Sequence, residues 1–442
     1  MTQDRDKQLN EAALRQHRFY HGKMEVMPKC WISSLDDFSI WYTPGVAAVC
    51  KEIVKDKNKA FDLTLKWNTI AVVSDGTRVL GLGNIGPEAA LPVMEGKALI
   101  FKYLGGVDAV PICLNTRDEG KIIEFVKALE PSFGGINLED IEKPKCFSVL
   151  DRLKEELTIP VWHDDQQGTA TIVCAGLINA LKFVGKKIGE VNIAMVGTGA
   201  ANYCVERLIV KAGVDERKII MVDSKGILNQ FRKELEQREP YKWQLCLKTN
   251  AVGKTGGIPD ALKDSDICIA MSRPGPGIIK KEWIKMMNDK AIVFSCANPI
   301  PEIWPYESKE AGALIVATAR SDFPNQLNNS LVFPGIFRGA LDVRAKKISD
   351  GMCLAAAGEI AKMAEDKGIS AHYIVPTMEE WKVYPRQAAA TAHQAVKENL
   401  ARVKVSREEE LERAEEIILS TRKKLDELKK TGLIPRPPIA RV

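Results

Sequence analysis

A chain of 442 residues is long enough for two to three domains of about 100–200 residues each. With 45% apolar and 27% charged residues it has the composition of a protein with a large core, not of a disordered chain. Lys plus Arg (63) less Asp plus Glu (58) leaves +5, too weak and too evenly spread to imply a nucleic-acid or membrane-surface partner.

The N-terminal stretch MTQDRDKQLNEAALRQ is charged from its fourth residue, unlike a signal or transit peptide. No uninterrupted apolar run approaches the roughly 18 residues of a membrane span. In SIWYTPGVAAVC, Thr43 precedes Pro44 and is held extended, and a helix is expected after Gly45. Tyr42 there is either a positioned proton donor or core or loop filler. Short aliphatic runs then recur: Ile70–Ser74, Ala109–Leu114, Ile159–Trp162, Val191–Val196, Lys218–Val222, Ile267–Met271, Ala291–Ser295 and Ala313–Ala317. Amphipathic helical patterns such as Glu119–Leu129 and Thr169–Val184 lie between them, and this alternation predicts mostly parallel sheets with helices on both faces. From Gly351 the pattern is helical, and Ser406–Lys430 reads as a solvated surface helix with an intermittent apolar stripe. The ten cysteines sit singly, without a CxxC pair, and read as small buried hydrophobes of a reducing compartment, with the cytoplasm as the expected address.

Two glycine clusters compete for a dinucleotide. Gly81-Leu-Gly83-Asn-Ile-Gly86 matches GxGxxG, but Asp75-Gly76 before it is a hairpin-type turn between two short strands, and no simple βαβ unit follows. In VNIAMVGTGAANYCVERLIVKAGV a buried strand instead runs into Gly197-Thr198-Gly199-Ala200-Ala201-Asn202 and an apolar-periodic helix, and a second strand ends at Asp223. Gly197 permits the tight turn, Gly199 lets the backbone reach a pyrophosphate, and Asp223 accepts from a ribose 2′-hydroxyl. Asn202 replaces the third glycine. Asp223 favours NAD, while Lys225 leaves NADP open.

Acidic pairs stand at two places. Asp164-Asp165 close the strand in IPVWHDDQQGTATIVCAGLINAL, and Glu139-Asp140 lie among aliphatics in GGINLEDIEKP. Converging carboxylates suit a hard cation such as Mg²⁺ or Mn²⁺; taken alone, each pair is more often a helix cap or an acidic loop. Lys97 lies on the apolar stripe of its helix among Val93, Met94, Ile100 and Phe101. Either it snorkels, or it points into a cleft where burial and a cation lower its pKa and make it a base. Asn298 closes another aliphatic strand, and Asn328-Asn329 sit in a turn-forming stretch.

From His17 to Ala364 these segments together resemble the malic enzyme family, especially its short bacterial-type members. The resemblance runs through WYTPGVAAVC, SDGTRVLGLGNIGPEAALPVMEGKAL, FGGINLEDI, HDDQQGTA, GTGAAN, CANPIPEI and ATARSDFPNQLNNSLVFPGIFRGALDVRA. It implies a two-domain α/β protein: an N-terminal malate-binding α/β domain (1–160), a Rossmann-type NAD(P) domain (161–375) and a C-terminal helical segment (376–442). It implies Tyr42 as general acid, Lys97 as general base supported by Asp164, and Glu139, Asp140 and Asp165 as ligands of Mg²⁺ or Mn²⁺. Asn298 and Asn329 would bind substrate, Arg78 would contact malate, and Gly197–Ala201 with Asp223 and Asn298 would bind the cofactor. The family motif usually reads HDDQHGTA, and Gln167 departs from it. The implied activity is oxidative decarboxylation of L-malate to pyruvate by a homodimer or homotetramer. The alternatives are a malolactic enzyme, a metal-independent amino-acid dehydrogenase, and a non-catalytic NAD(H)-binding protein.

Overall fold

The computed structural model describes residues 2–438 and is built around two sheets. The first contains β1 (Thr69–Ser74), β2 (Asp108–Cys113), β3 (Gly135–Leu138) and β4 (Val161–His163), all parallel, in the order β2-β1-β3-β4. Parallel strands need crossovers, and helices α1 (Pro87–Gly105), α2 (Glu119–Leu129) and α3 (Lys145–Glu156) supply them. Proline at its first position opens α1, and Gly106 closes it in the left-handed conformation, φ +64°. The Asp118 carboxylate accepts the Lys121 N–H at the start of α2.

The second sheet has β5 (Ile193–Val196), β6 (Ile219–Asp223), β7 (Gly226–Ile227), β8 (Ile267–Ala270), β9 (Ile292–Ser295) and β10 (Ile315–Ala317). Its order is β10-β9-β8-β5-β6-β7, parallel except for β7. Helix α4 (Thr169–Val184) links the two sheets, and α5 (Ala200–Lys211) follows β5. The segment Asp164–Val184 is long and apolar enough by composition to cross a membrane; in the fold it is 78% buried as a core helix. Of the helices α6 (Phe333–Asp342), α7 (Asp350–Lys367), α8 (Val383–Lys397) and α9 (Arg407–Lys430), α6 and α9 pack on α1 of the first sheet, and α7 packs on the linking helix α4. Arg338 ties α6 to the base of β1, bonding Asp342 within its helix and the Asn68 side chain.

Several sequence expectations change here. Asp75-Gly76 does not join two strands of a hairpin: β1 runs parallel to its neighbours, and only a single bridge, Val79 to Gly83, forms in the loop that follows. Strand β3 is absent from the aliphatic runs because GINL interleaves only two apolar side chains with Gly135 and Asn137, residue types depleted in strands, yet all four residues are buried. Strand β4 lies beyond residue 160 but pairs within the first sheet. The tail helix α9 is not solvated all round, since Ala414, Ile418 and Thr421 are buried. Six cysteines are buried as expected; Cys30, Cys113 and Cys296 are only partly so, and Cys50 is exposed.

Candidate active site

Parallel strands point their carboxyl ends to one edge, and ligands of open α/β sheets collect there. Along the first sheet that edge carries Asp75 after β1, Glu139-Asp140 after β3 and Asp164-Asp165 after β4. Carboxylate oxygens of Glu139, Asp140 and Asp165 lie within 4.8 Å of one another. Their neighbours hold them. Asn137 Nδ2 donates to Glu139 Oε2 at 2.9 Å, and the Asp140 backbone N–H donates to Asp165 Oδ2 at 3.0 Å. The Arg78 backbone N–H donates to the Asp140 carbonyl at 2.9 Å, fixing Asp140 in a left-handed conformation (φ +55°) that a non-glycine residue keeps only when its surroundings impose it.

Lys97 reaches the cluster from α1. Its Nζ lies 2.6 Å from Asp164 Oδ2, 2.9 Å from Glu139 Oε1 and 4.4 Å from the centre of the Phe333 ring. Trp162 Nε1 donates to the other Asp164 oxygen at 2.9 Å. Lys97 is 9% exposed, so it does not snorkel. Burial by itself would lower its pKa, but Asp164 and Glu139 outweigh burial and keep it an ammonium. The expected depressed pKa is therefore not found in the free chain. Burial lifts the Glu139 carboxyl well above its ordinary range, and burial followed by the Asp165 charge pushes Asp140 up to about 8. Asp140 Oδ2 is buried without a hydrogen-bond partner among the described residues. Three packed carboxylates with an unsatisfied oxygen fit a hard divalent cation with oxygen ligands.

The facing wall comes from the second sheet. Gly197 follows β5 with φ +98°, and a Cβ there would strike the Met271 carbonyl beyond β8, so the turn requires glycine. A Cβ on Gly199 would meet nothing within 4 Å among the described residues. That glycine keeps open the space before the N-terminus of α5, where a pyrophosphate would sit. Asn202 Nδ2 donates to the carbonyls of Val196 at 3.0 Å and Gly197 at 2.8 Å, stitching α5 to the strand end where a third glycine would otherwise stand. Strand order diverges on either side of β5, the position at which doubly wound sheets open a crevice. The turn Asp164–Gly168 packs against α5, so carboxylate cluster and glycine turn share one cleft. The competing glycines serve that cleft differently: Gly81 presses on the Asn298 carbonyl and Pro299, where a side chain would collide.

Arg78 is exposed beside the cluster, with Nη1 donating to the Leu80 carbonyl at 3.1 Å and its charge acting on Asp140. Asn329 lies against Gly168 and thus beside Asp164, whereas Asn298 is exposed on the opposing loop. Tyr42 is 71% exposed after the short helix Phe38–Trp41, and its hydroxyl bonds nothing among the described residues. Asp223 closes β6 already engaged, by Arg232 Nη1 at 2.8 Å and Lys242 Nζ at 3.2 Å. Sequence reasoning missed Asn137 and Trp162, although both precede their carboxylates by two residues. In an extended chain that spacing places both side chains on one face. Phe333, Arg232 and Lys242 carry no such local signal.

Two family models match the chain: malic enzyme N-terminal domain over residues 21–121 and 117–154, and malic enzyme NAD binding domain over residues 166–397. The chain is 47% identical over 411 residues to the bifunctional malic/malolactic enzyme of Bacillus subtilis, covering 93% of this chain and 99% of that one. It is 49% identical over 381 residues to the NAD-dependent malic enzyme of Geobacillus stearothermophilus, covering 86% and 78%. The solved malic enzyme of Entamoeba histolytica superposes with a TM-score of 0.96 at 46% identity, covering 98% of this chain and 91% of that one. With both domain models matched and similarity extending over nearly its full length, the chain belongs to the malic enzyme family.

Proposed function

We propose that this enzyme catalyses oxidative decarboxylation of L-malate to pyruvate and CO₂ with reduction of NAD(P)⁺, using Mg²⁺ or Mn²⁺ held by Glu139, Asp140 and Asp165. The observation that carries the reading is the convergence of these carboxylates with Lys97 opposite the Gly197–Ala201 turn. When bound, the cation supplies a Lewis acid for alkoxide and enolate oxygens, and the nicotinamide accepts hydride.

The chain's own groups bind, orient and move protons. The backbone of Gly197, Thr198, Gly199, Ala200 and Ala201 faces a pyrophosphate, which the N-terminus of α5 favours. Arg78 offers a guanidinium fork to a malate carboxylate, and Asn298 and Asn329 offer amides from two loops. Lys97 takes the C2 hydroxyl proton, and Asp164 orients its Nζ. Glu139 is shared between Lys97 and the triad, so engaging it in the triad removes one of two charges that keep Lys97 protonated, the direction a base needs.

Tyr42 is the proposed donor of a proton to C3. It rides on an arm whose Val26, Trp31, Leu35 and Trp41 are exposed, apolar surface suited to cover by a second copy, and we read the enzyme as a homo-oligomer. Mixing Lys97→Ala with Tyr42→Phe chains tests whose cleft Tyr42 serves: activity above both parents places it in the partner's. The overall reading is tested with L-malate, NAD⁺ or NADP⁺, and Mn²⁺ or chelator. Cation-dependent reduction of the nicotinamide with pyruvate formed is expected. Lactate without net reduction would instead indicate malolactic chemistry, and absence of turnover would overturn both.

A further inference from the structure

The end of β6 holds charges that the glycine turn does not use. Asp223 stands on the strand next to β5, where the adenosine ribose of a dinucleotide seated on the Gly197 turn would lie. A bare carboxylate there would offer both oxygens to ribose hydroxyls and repel a 2′-phosphate. Asp223 is not bare. Its Oδ1 accepts from Arg232 Nη1 and from the Lys225 backbone N–H, each at 2.8 Å, and its Oδ2 accepts from Lys242 Nζ at 3.2 Å. Arg232 Nε donates to Glu234 at 3.1 Å, and Lys242 donates to Glu239 at 2.7 Å.

Oδ1 is saturated, while Oδ2 keeps one lone pair, enough for one hydroxyl. Arg232 Nη2 is buried and has no hydrogen-bond partner among the described residues, although the side chain is only 12% exposed. A buried guanidinium N–H without an acceptor is unfavourable, and an anionic oxygen is the acceptor that suits it best. Asp223, Glu234 and Glu239 face Lys143, Lys225, Arg232 and Lys242, so the cluster carries one net positive charge and does not repel phosphate as a lone carboxylate would.

We propose that Arg232 and Asp223 together read the adenosine ribose: Arg232 Nη2 takes a 2′-phosphate, the free lone pair of Asp223 Oδ2 takes a 2′-hydroxyl, and the enzyme uses both NADP⁺ and NAD⁺. The inference rests on the reading of Gly197–Ala201 as the dinucleotide turn. It is tested by calorimetric binding to the full chain without malate or metal, using NAD⁺, NADP⁺ and the fragments ADP and 2′,5′-ADP. The wild type binds both dinucleotides. Arg232→Gln weakens NADP⁺ and 2′,5′-ADP by about tenfold or more, as loss of one charge-assisted bond predicts, and does not weaken NAD⁺ or ADP, because it frees Asp223 Oδ1 for a ribose hydroxyl. Arg232→Lys, which keeps the charge and loses the fork, falls between. Asp223→Asn weakens NAD⁺ more than NADP⁺. Equal weakening of all four ligands by Arg232→Gln, or wild-type binding of one dinucleotide alone, overturns the inference and leaves the turn intact. Binding of neither dinucleotide overturns the turn itself and the inference with it.

Discussion

Two parallel-sheet edges meet in one cleft and are built in opposite ways. At the first, the proposed site is made of side chains buried together: Lys97, Glu139, Asp140 and Asp164. At the second, it is made of backbone, of a Gly197 at a positive φ that suits glycine alone and of the open space over Gly199. Proton transfer and cation binding need charges whose energies are set by burial and by one another, so many packed residues must agree. Phosphate binding needs only oriented N–H groups and a gap, which one strand–turn–helix provides.

Substitutions should separate the edges. Lys97→Ala should lower kcat by roughly 10²–10⁴-fold, the range for a lost general base, while dinucleotide affinity in a binding titration stays unchanged. A parallel loss of affinity would mean that the edges are not independent. Asn137→Ala, which frees Glu139, should weaken Mn²⁺ or activity by about 10–100-fold, as removal of a group behind a metal ligand does; a Mn²⁺ titration of turnover measures it. The two glycines sharpen the contrast further. Gly197→Ala forces a side chain into a positive-φ turn against Met271 and should cost about 1–3 kcal/mol of stability, seen as a lower thermal midpoint. Gly199→Ala should leave the midpoint in place and weaken only the dinucleotide.

The smallest expected effect is a pH dependence confined to the first edge. In the folded chain Asp140 titrates at about 8, well above an unfolded carboxyl at about 4. The folded state thus binds the extra proton, and this contribution to stability, complete below about pH 4, is lost as pH rises towards about 8. A cation needs the ionised form, so its stabilisation should grow across that window. Melting curves with and without Mn²⁺ at about pH 6 and about pH 8 check this. A gap that narrows at the higher pH would remove Asp140 from the triad.

The parts of this layout readable in sequence are those made by neighbours along the chain. Gly197–Asn202 between strand and helix, the helices Glu119–Leu129 and Thr169–Val184, and Lys97 as the charge on an apolar stripe all follow from spacing. Strand β3 was illegible because its short GINL run owes its place to burial between β1 and β4. Asn137 and Trp162 were legible in principle, two residues ahead of their carboxylates on buried strands. Tyr42 shows the converse, a residue marked by its motif that the fold of a single chain leaves exposed.

By itself, then, the sequence determined the α/β alternation, the nucleotide turn and the identities of the acidic pairs, since each depends on interactions within a few residues. Tertiary structure alone decided the rest. It brought Glu139 and Asp164 to Lys97 and so made that lysine an ammonium, stacked Phe333 on it, and clamped Asp223 between Arg232 and Lys242. The protonation state and partners of a buried charge depend on which other charges lie within a few ångströms and on how much water is excluded, and those are properties of packing across the chain.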